Sequence, residues 1–329
     1  MKICVIGASG HYGYALGGLK DCEGAYIAGV APGSVGENAG PAVKAAAAAG
    51  FTPEVFDSYA DMVNKIKPDV AVVNCFFGDH ARVISYLFKK GVHVFAEKPV
   101  STTLEDLYSL KAAYDAAGVQ LCPMFGIRYT PHFSAAKEAV LSGAVGEIRL
   151  INTQKSYKLG ARGEHYKNRA VYGGTIPWVG SHAIDWIRWI SGKRFVSVCA
   201  AHSDMFNCGH GDMEMSAACQ FCLEDGVIAT ASIDYLRPDS AESHGDDRMR
   251  VAGTRGVLEV RGQKAYLINN EHEGTYELPL SPAGSLFADF YRRIKDGADS
   301  GPNFDDAFAV TEAALMARLS ADEGRICYF

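Results

Sequence analysis

The sequence lacks any apolar run of about 18 residues, the length that a membrane-spanning helix requires. It also lacks a stripe of clustered Lys and Arg, and its formal net charge of −6 at pH 7 gives no electrostatic basis for binding nucleic acid. No secretory leader is recognisable, because an apolar strand and a glycine turn follow Met1 directly. We therefore expect a cytoplasmic protein with neither a membrane nor a nucleic-acid partner.

Cysteine is present, but in no pattern that marks disulfides or a metal site. The nine cysteines are odd in number and scattered, so we expect reduced thiols. Cys219 and Cys222 have the spacing of a redox pair, yet they lie in a strand-like run, and no second pair completes a zinc site. Structural thiols are the simpler interpretation, and we predict no metal.

A length of 329 residues makes two domains the natural expectation. Residues 1–122 alternate strands with helices, and the strand at 69–75 is apolar on both faces, as in a parallel sheet covered by helices. This rhythm predicts an α/β domain with a doubly wound parallel sheet. The predicted strands are 2–6, 25–31, 69–75, 92–96 and 119–124, and the predicted helices are 12–19, 41–49, 58–67, 79–90 and 102–117, the last with a capping box opened by Thr102.

Residues 123–329 follow a different rhythm, which predicts a second, α+β domain with an open, largely antiparallel sheet. A helix over 131–142 and a helix around His182 precede most of the strands, and two helices near 285–296 and 305–320 close the chain. The predicted strands are 148–156, 195–201, 213–223, 227–234, 248–252, 257–261 and 265–268.

A glycine loop, Gly7-Ala8-Ser9-Gly10-His11-Tyr12-Gly13, follows the first strand and opens a helix. Glycine permits the tight turn and lets backbone N–H groups approach a pyrophosphate at a helix N-terminus. A plain strand-to-helix turn is the alternative, but the position on the first strand favours a dinucleotide. We predict that NAD(P) contacts Gly7, Ser9, Gly10, His11, Tyr12 and Gly13.

The choice between NAD and NADP depends on the end of the second strand, where a carboxylate usually holds the ribose 2′-hydroxyl. That position reads Val30-Ala31-Pro32-Gly33-Ser34, without an acid. Nothing there repels a 2′-phosphate, and Ser34 can hydrogen-bond one, although no arginine is nearby to pair with it. We therefore expect Ala31 and Ser34 to line the cofactor site. The pattern weakly favours NADP over NAD, and the alternative is that the site accepts both cofactors.

Glu97-Lys98-Pro99 ends a strand at the edge where open α/β sheets bind ligands. A lysine there can donate to a substrate oxygen beside the nicotinamide ribose, whereas the alternative is a solvated surface lysine. Glu97 and Lys98, together with Asn74 and His80 at the end of another strand, are predicted cofactor contacts.

His182 lies on a predicted helix that is opened by Thr175 and has Pro177 in its first turn. Trp178 and Asp185 share its face, four residues before it and three after it. Histidine exchanges a proton near neutral pH, so His182 is a candidate acid/base, although a lone helical histidine is often structural. Asp185 can orient His182 or can pair instead with Arg188 or another basic group.

Together these motifs resemble the Gfo/Idh/MocA family of oxidoreductases. The resemblance rests on Gly7-x-x-Gly10-x-x-Gly13, Ala96-Glu97-Lys98-Pro99 and Gly173-Gly174…Gly180-x-His182-x-x-Asp185, with support from Arg128, Pro131 and residues 250–260. It implies a Rossmann domain, a C-terminal domain whose open sheet serves oligomer contacts, and hydride transfer at a hydroxyl of a sugar, polyol or related molecule. It also implies that Lys98 contacts nicotinamide and substrate, that His182 is the acid/base, and that the bond before Pro99 is cis.

Trp178 departs from the family pattern, which usually has an aspartate there that helps to bind the substrate or set up proton transfer. The indole N–H only donates, so Trp178 cannot accept a proton. It can stack on the substrate, it can mark a protein in which ordinary alcohol oxidation is weakened, or it can fill the core beside Trp186 and Trp189.

The predicted function is that of an NAD(P)-dependent dehydrogenase or reductase acting on a CH–OH group, as a homodimer or homotetramer formed through the C-terminal sheet. Two alternatives stay open: NAD-dependent glycoside hydrolysis or epimerisation without net redox change, and a non-catalytic NAD(P)-binding sensor. Lys98 and His182 are the predicted catalytic residues. The candidate substrate-binding residues, for which a solvated or structural role is the alternative, are Trp178, Asp185, Arg128, Tyr157 and His165.

Overall fold

A computed structural model describes residues 1–298 and 300–329. The chain forms two compact units with interleaved segments. The first comprises Met1–Gly126, Ala170–Gly173 and Ser285–Thr311, and the second comprises Ile127–Arg169, Gly174–Gly284 and Glu312–Phe329. The division into domains 1–122 and 123–329 stays a prediction, and in the compact units residues 285–311 group with the N-terminal part of the chain.

The first unit is built on a six-stranded parallel sheet, as predicted, in the order β3-β2-β1-β4-β5-β6. Because the strand order reverses between β1 and β4, their carboxyl ends border the crevice where open α/β sheets bind ligands. The short β3 was not predicted, since both of its residues are exposed and form no buried apolar run. The strands are β1 (Lys2–Ile6), β2 (Tyr26–Ala31), β3 (Glu54–Val55), β4 (Val70–Val73), β5 (His93–Ala96) and β6 (Leu121–Pro123).

The helices that accompany this sheet match the predicted ones to within about two residues at most ends, which is the usual uncertainty of helix boundaries. They are α1 (Gly13–Gly18), α2 (Gly40–Ala48), α3 (Tyr59–Ile66), α4 (His80–Lys89) and α5 (Leu104–Asp115). The predicted cap of α5 was wrong by one residue. Thr103, which has extended backbone angles, is the N-cap and accepts a hydrogen bond from the Asp106 N–H at 3.1 Å, whereas Thr102 is buried.

A helix from the end of the sequence completes the core of the first unit. In α9 (Leu286–Asp296), Phe287 and Phe290 lie 5.1 and 5.8 Å from the Phe95 ring of β5, measured between ring centroids. Ser285 caps this helix by accepting from the Ala288 N–H at 3.2 Å. The aromatic contacts explain why residues 285–311 group with the parallel sheet.

The second unit contains a nine-stranded sheet in the order β14-β13-β12-β11-β7-β10-β9-β8-β15. All neighbours are antiparallel except β7 and β10, so the prediction of a largely antiparallel sheet is confirmed. The strands are β7 (Ile148–Tyr157), β8 (Phe195–Ser203), β9 (Ser216–Leu223), β10 (Ile228–Asp234), β11 (Gly245–Gly253), β12 (Gly256–Arg261), β13 (Lys264–Asn269), β14 (Tyr276–Glu277) and β15 (Cys327–Tyr328).

One face of this sheet packs against helices α6 (Pro131–Leu141) and α8 (Ser181–Ser191). The strands alternate accordingly: in β9, Phe221 is buried while Gln220 is exposed. Cys219 and Cys222 fall on opposite faces for the same reason, and both thiols are free. Two further helices, α7 (Arg169–Tyr172) and α10 (Phe304–Glu323), contribute residues to both units.

Candidate active site

The glycine loop of the first unit runs directly against the end of β4. Gly7 has a φ of +83°, and a Cβ added there would lie 2.4 Å from the Cys75 backbone nitrogen. At Gly10 an added Cβ would lie 2.9 Å from both Asn74 Oδ1 and Glu97 Cγ. Both positions therefore require glycine, because any side chain would push the loop off the strand ends.

The rest of the loop leaves the start of α1 open. Tyr12 precedes the helix and makes no side-chain cap bond, and an added Cβ at Gly13, the first helical residue, would meet nothing within 4 Å. Packing within the chain therefore requires Gly7 and Gly10 but not Gly13. A glycine at a helix N-terminus lets a phosphate approach the backbone N–H groups closely.

Glu97 ties the loop to the Glu97-Lys98-Pro99 motif. Its buried carboxylate accepts from the His11 backbone N–H at 2.7 Å and from the Lys98 N–H at 3.0 Å, and the His11 Nδ1 lies 2.6 Å away. Burial alone would raise the pKa of Glu97. The charge and hydrogen bonds of His11, together with the charge of Lys98, instead lower this pKa to about 2. Glu97 is therefore an anion that holds the loop.

Lys98 is buried, with 3% of its side chain exposed, so the alternative of a solvated surface lysine does not hold. Its Nζ lies 3.9 Å from Glu97 Oε1, and the bond to Pro99 is cis, as the family resemblance implied. The Lys98 ammonium is thus held at the carboxyl end of β5 next to a fixed anion.

Two residues behind this edge differ in how their polar atoms are satisfied. His80 is fully buried, and its Nδ1 and Nε2 lie 2.7 and 3.0 Å from the carbonyl oxygens of Pro99 and Cys75. Burial lowers the pKa of His80, although these carbonyls and Glu97 oppose the change. His80 thus supports the turn that carries Lys98. Asn74 is equally buried, but neither its Oδ1 nor its Nδ2 has a hydrogen-bond partner in the described part of the chain.

A carboxylate does occupy the end of β2, contrary to the sequence interpretation. Glu37, six residues beyond Ala31, accepts from the N–H groups of Ala8, Gly33 and Ser34 at 3.0, 3.0 and 3.2 Å. It also accepts from the Ser9 hydroxyl at 2.7 Å. The loop after the strand folds back, which spacing along the sequence did not reveal.

An arginine is also near this strand end, which the sequence interpretation denied. Arg82 of α4 donates to the Gly33 carbonyl at 3.1 Å. Its charge is already matched by Asp79, at 2.8 Å, and it donates to the Tyr59 hydroxyl at 2.7 Å. Ser34, proposed to bind a 2′-phosphate, instead accepts from the Phe76 N–H at 3.1 Å.

These residues fit a dinucleotide. The two glycines leave a cradle that a Cβ would fill, and Asn74 presents a buried amide whose hydrogen-bonding capacity is unused, which is unusual unless a ligand or water serves it. Glu37 supplies the carboxylate expected at the end of the second strand.

In the second unit, His182 lies in the first turn of α8, which follows a π-helical turn, Ile176–Gly180. Thr175 does not cap this helix. Its N–H donates to the Glu214 Oε2 at 2.9 Å and its hydroxyl to the Glu214 carbonyl at 2.7 Å. Such π turns are frequent at functional sites, and this one changes the register between Trp178 and His182 from that of a regular α-helix.

Asp185 is paired with Arg128, a basic group of the kind that the sequence analysis left open as its partner. Arg128 Nε donates to both carboxylate oxygens of Asp185 at 3.1 and 3.0 Å, and Nη2 also donates to Oδ1. Both residues are buried, and the guanidinium carbon lies 5.6 Å from the Trp189 ring centroid. This pair fixes α8 to the segment before α6, so both residues position the helix that carries His182.

Trp178 is covered by its own neighbours. The Tyr166 ring stacks on it at 4.3 Å and 27°, the Arg162 guanidinium lies 5.3 Å from its ring centroid, and the Tyr235 ring lies 6.0 Å away. Only 8% of Trp178 is exposed. Trp178, Tyr166 and Tyr235 therefore form an aromatic wall, in which Trp178 is covered rather than open for stacking on a ligand. His165 extends this wall, because its ring centroid lies 4.1 Å from that of Tyr166.

Tyr157 ends β7 at the same edge of the sheet as Tyr235, which follows β10, because these two strands are parallel. The His244 ring stacks on Tyr157 at 4.9 Å and 29°. Lys155 Nζ lies 4.6 Å from the Tyr157 ring centroid and 2.6 Å from Asp247 Oδ1. The sequence reasoning missed Arg162, Tyr235 and His244, and only the pairing of β7 with β10 and β11 brings them to this edge.

Within residues 1–298 and 300–329, no group of three or more His, Cys, Asp or Glu side chains is placed to hold a metal ion. Among the same residues, no helix has the length and apolar character needed to cross a membrane.

Comparison with known proteins assigns the family. Residues 1–125 match the family described as "Oxidoreductase family, NAD-binding Rossmann fold", and residues 133–259 match the GFO/IDH/MocA C-terminal domain. A solved structure from Thermotoga maritima, assigned as an oxidoreductase, is 48% identical, covers 100% of both chains and has a TM-score of 0.96.

Two curated relatives are dehydrogenases of a polyol and a sugar. The inositol 2-dehydrogenase of Rhizobium meliloti (strain 1021) is 26% identical over 266 residues, 78% of this chain and 79% of that protein. The D-xylose 1-dehydrogenase (NADP(+)) 2 of Haloferax volcanii is 24% identical over 273 residues, 82% and 78% of the two chains. The chain belongs to the GFO/IDH/MocA family of oxidoreductases and carries its NAD-binding Rossmann fold at the N-terminus.

Proposed function

We propose that this protein is a dehydrogenase that oxidises one hydroxyl of a sugar, polyol or related molecule to a carbonyl, with His182 as the acid/base and Lys98 as the cationic donor. The observation that carries the proposal is the buried Glu97-Lys98 pair on the NAD-binding unit, in which one carboxylate holds both the glycine loop and the lysine. Bound nicotinamide would supply the hydride acceptor.

In this reaction the hydroxyl carbon gives up its C–H with both electrons, and His182 takes the O–H proton as the carbonyl forms. Since Trp178 stands where the family usually has an aspartate and cannot accept a proton, the proton transfer falls to His182. The Lys98 ammonium would donate to a substrate oxygen and stabilise its developing negative charge. The Arg128–Asp185 pair acts indirectly, by fixing α8.

We further propose that NAD is preferred over NADP, which reverses the lean drawn from the strand end alone. Glu37 places a carboxylate on the Gly33 and Ser34 amides, where its negative charge would repel a 2′-phosphate. Arg82 does not offset this effect, because Asp79 already matches its charge.

Homo-oligomer formation through the open face of the second-unit sheet also stays a proposal. It is supported by exposed apolar and uncharged side chains on adjacent strands, such as Ile228 of β10 and Cys222 of β9. Light scattering that finds only a monomer at working concentration would exclude it. The cytoplasmic location stays a prediction as well.

The test of the proposed function is His182→Ala. General acid/base catalysis contributes about 10²–10⁴-fold to turnover, so kcat should fall by that order while NADH binding, followed by nicotinamide fluorescence, stays unchanged. His272→Gln is the matched control, since that histidine is exposed on a loop. Full turnover in His182→Ala would remove the assigned role, and product formation without NADH formation would point to chemistry without net redox change.

A further inference from the structure

Arg162 lies against two rings of the aromatic wall in the second unit. Its guanidinium carbon is 5.3 Å from the Trp178 ring centroid and 5.2 Å from that of Tyr235. Arg162 belongs to the loop between β7 and α7, and Trp178 belongs to the π turn that leads into the helix of His182. The guanidinium therefore borders the segment that carries the proposed acid/base.

No carboxylate neutralises this arginine. Within residues 1–298 and 300–329 Arg162 makes no ion pair, and its one hydrogen bond runs from Nη2 to the Lys158 carbonyl at 3.2 Å. Its Nε is buried and has no hydrogen-bond partner. The nearby Arg237 differs, because Asp246 lies 3.7 Å from its guanidinium. A partly buried guanidinium without an anion has paid part of its desolvation cost and gains strongly from an anionic ligand.

Two other cations lie close to the same His244 ring as Arg162. Among the described residues, the hydrogen-bond acceptors of Lys158 Nζ are the backbone carbonyls of Asp239 and Ala241, at 2.8 and 2.5 Å. Burial lowers the pKa of the His244 ring, and three neighbouring cations lower it further: Arg162, Lys158 and Lys155. Of these three, Lys155 has a carboxylate partner, Asp247.

The departure at Trp178 has a consequence for charge. An indole stands where the family usually has an aspartate, so the position beside Arg162 carries no negative group. An aspartate there would attract the guanidinium and disfavour an anionic ligand. The indole leaves the charge available and makes a cation–π contact with the guanidinium.

We propose that Arg162 binds a carboxylate of the substrate, so that the proposed dehydrogenase acts on a sugar acid or polyol acid in preference to its neutral counterpart. The inference rests on the proposed function. Arginine suits this role because its planar fork presents two parallel N–H donors that match a carboxylate, which the point charge of a lysine does not.

The test compares D-glucuronate with D-glucose and D-gluconate with D-glucitol as substrates of the full chain with NAD. A hydrogen bond to a charged group contributes about 1.5–3 kcal/mol, so the acids should have a kcat/KM about ten- to hundredfold higher. Arg162→Gln should abolish this preference through a rise in KM, and Arg162→Lys should retain part of it. Arg149→Gln, which removes the same charge near the opposite end of β7, should leave the preference unchanged.

A wild-type protein that oxidises the neutral compounds as well as the acids, with no change in Arg162→Gln, would overturn the inference and leave the proposed function intact. If no compound of either class is oxidised, none of these four is a substrate of the proposed dehydrogenase. Calorimetric titration of the NADH-loaded protein with D-glucuronate then decides on the anion site alone: binding that Arg162→Gln abolishes supports it, and equal or absent binding in both proteins overturns it.

Discussion

The buried Glu97 carboxylate should make the stability of the protein depend on pH in a defined window. Its pKa is about 2 in the folded chain, against an ordinary value of 4.5, because His11 and Lys98 stabilise its charged form. A shift of this size corresponds to about 3 kcal/mol of unfolding free energy. Since the folded pKa is the lower one, this contribution is fully present above pH 4.5 and is lost as the pH falls towards 2.

We expect Glu97→Gln to lower the unfolding free energy by about 3 kcal/mol near pH 7 and by only about 1.5 kcal/mol near pH 3. The amide can still accept from the His11 N–H, but its NH₂ group would face the Lys98 N–H, which now donates to the carboxylate. Urea unfolding of both proteins, followed by circular dichroism at several pH values between these limits, measures the difference. Affinity for NADH should also fall, because Glu97 holds the glycine loop.

Glu277→Gln is the matched control, because Glu277 is exposed and pairs with Lys264 at the surface, where such pairs contribute about 0–1 kcal/mol. A gap between wild type and Glu97→Gln that stays constant from pH 7 to pH 3 would refute the reasoning. So would a gap near neutral pH no larger than that of the control.

Two other variants test the remaining assignments. Asp185→Asn leaves Arg128 buried without its counter-charge and should lower the unfolding free energy, measured in urea, by about 3–5 kcal/mol. The double variant Asp185→Leu with Arg128→Met should recover most of this loss. Equal destabilisation by both would contradict a role for the charge. Glu37→Gln removes the carboxylate at the end of β2 and should lower the ratio of the NADP to the NAD dissociation constant by about tenfold, measured by nicotinamide fluorescence, and an unchanged ratio would show that Glu37 does not discriminate.

Most elements of the fold follow from local patterns. The alternation of strands and helices over residues 1–122 predicted the parallel sheet, and strand-like runs predicted most strands of the second sheet. The short edge strands β3, β14 and β15 escaped because two-residue strands carry no such period. The cap of α5 was misplaced because two adjacent threonines offer the same hydroxyl, and the backbone angles at Thr103 decide between them.

The candidate site divides in the same way. Gly7, Gly10 and Glu97-Lys98-Pro99 are recognisable from sequence because each depends on a short segment after a strand, where the chemistry and the local geometry coincide. Glu37 was missed because the chain loops back to the end of β2 over six residues, and no spacing rule describes that return. NADP was therefore favoured because the prediction considered only the residues next to the strand end in sequence. It did not consider the loop that brings Glu37 back to that end.

Sequence patterns were enough to predict the family, most of the strands and helices, and the residue types that can exchange a proton or bind a phosphate. The partners of those residues depend on the fold. Arg128 and Asp185 are 57 positions apart, and Arg162 meets Tyr235 only because β7 and β10 run in parallel and end together. The physical reason is that charge pairing, burial and aromatic contact depend on distances in space. Long-range strand pairing brings distant residues together, and a short stretch of sequence does not show that pairing.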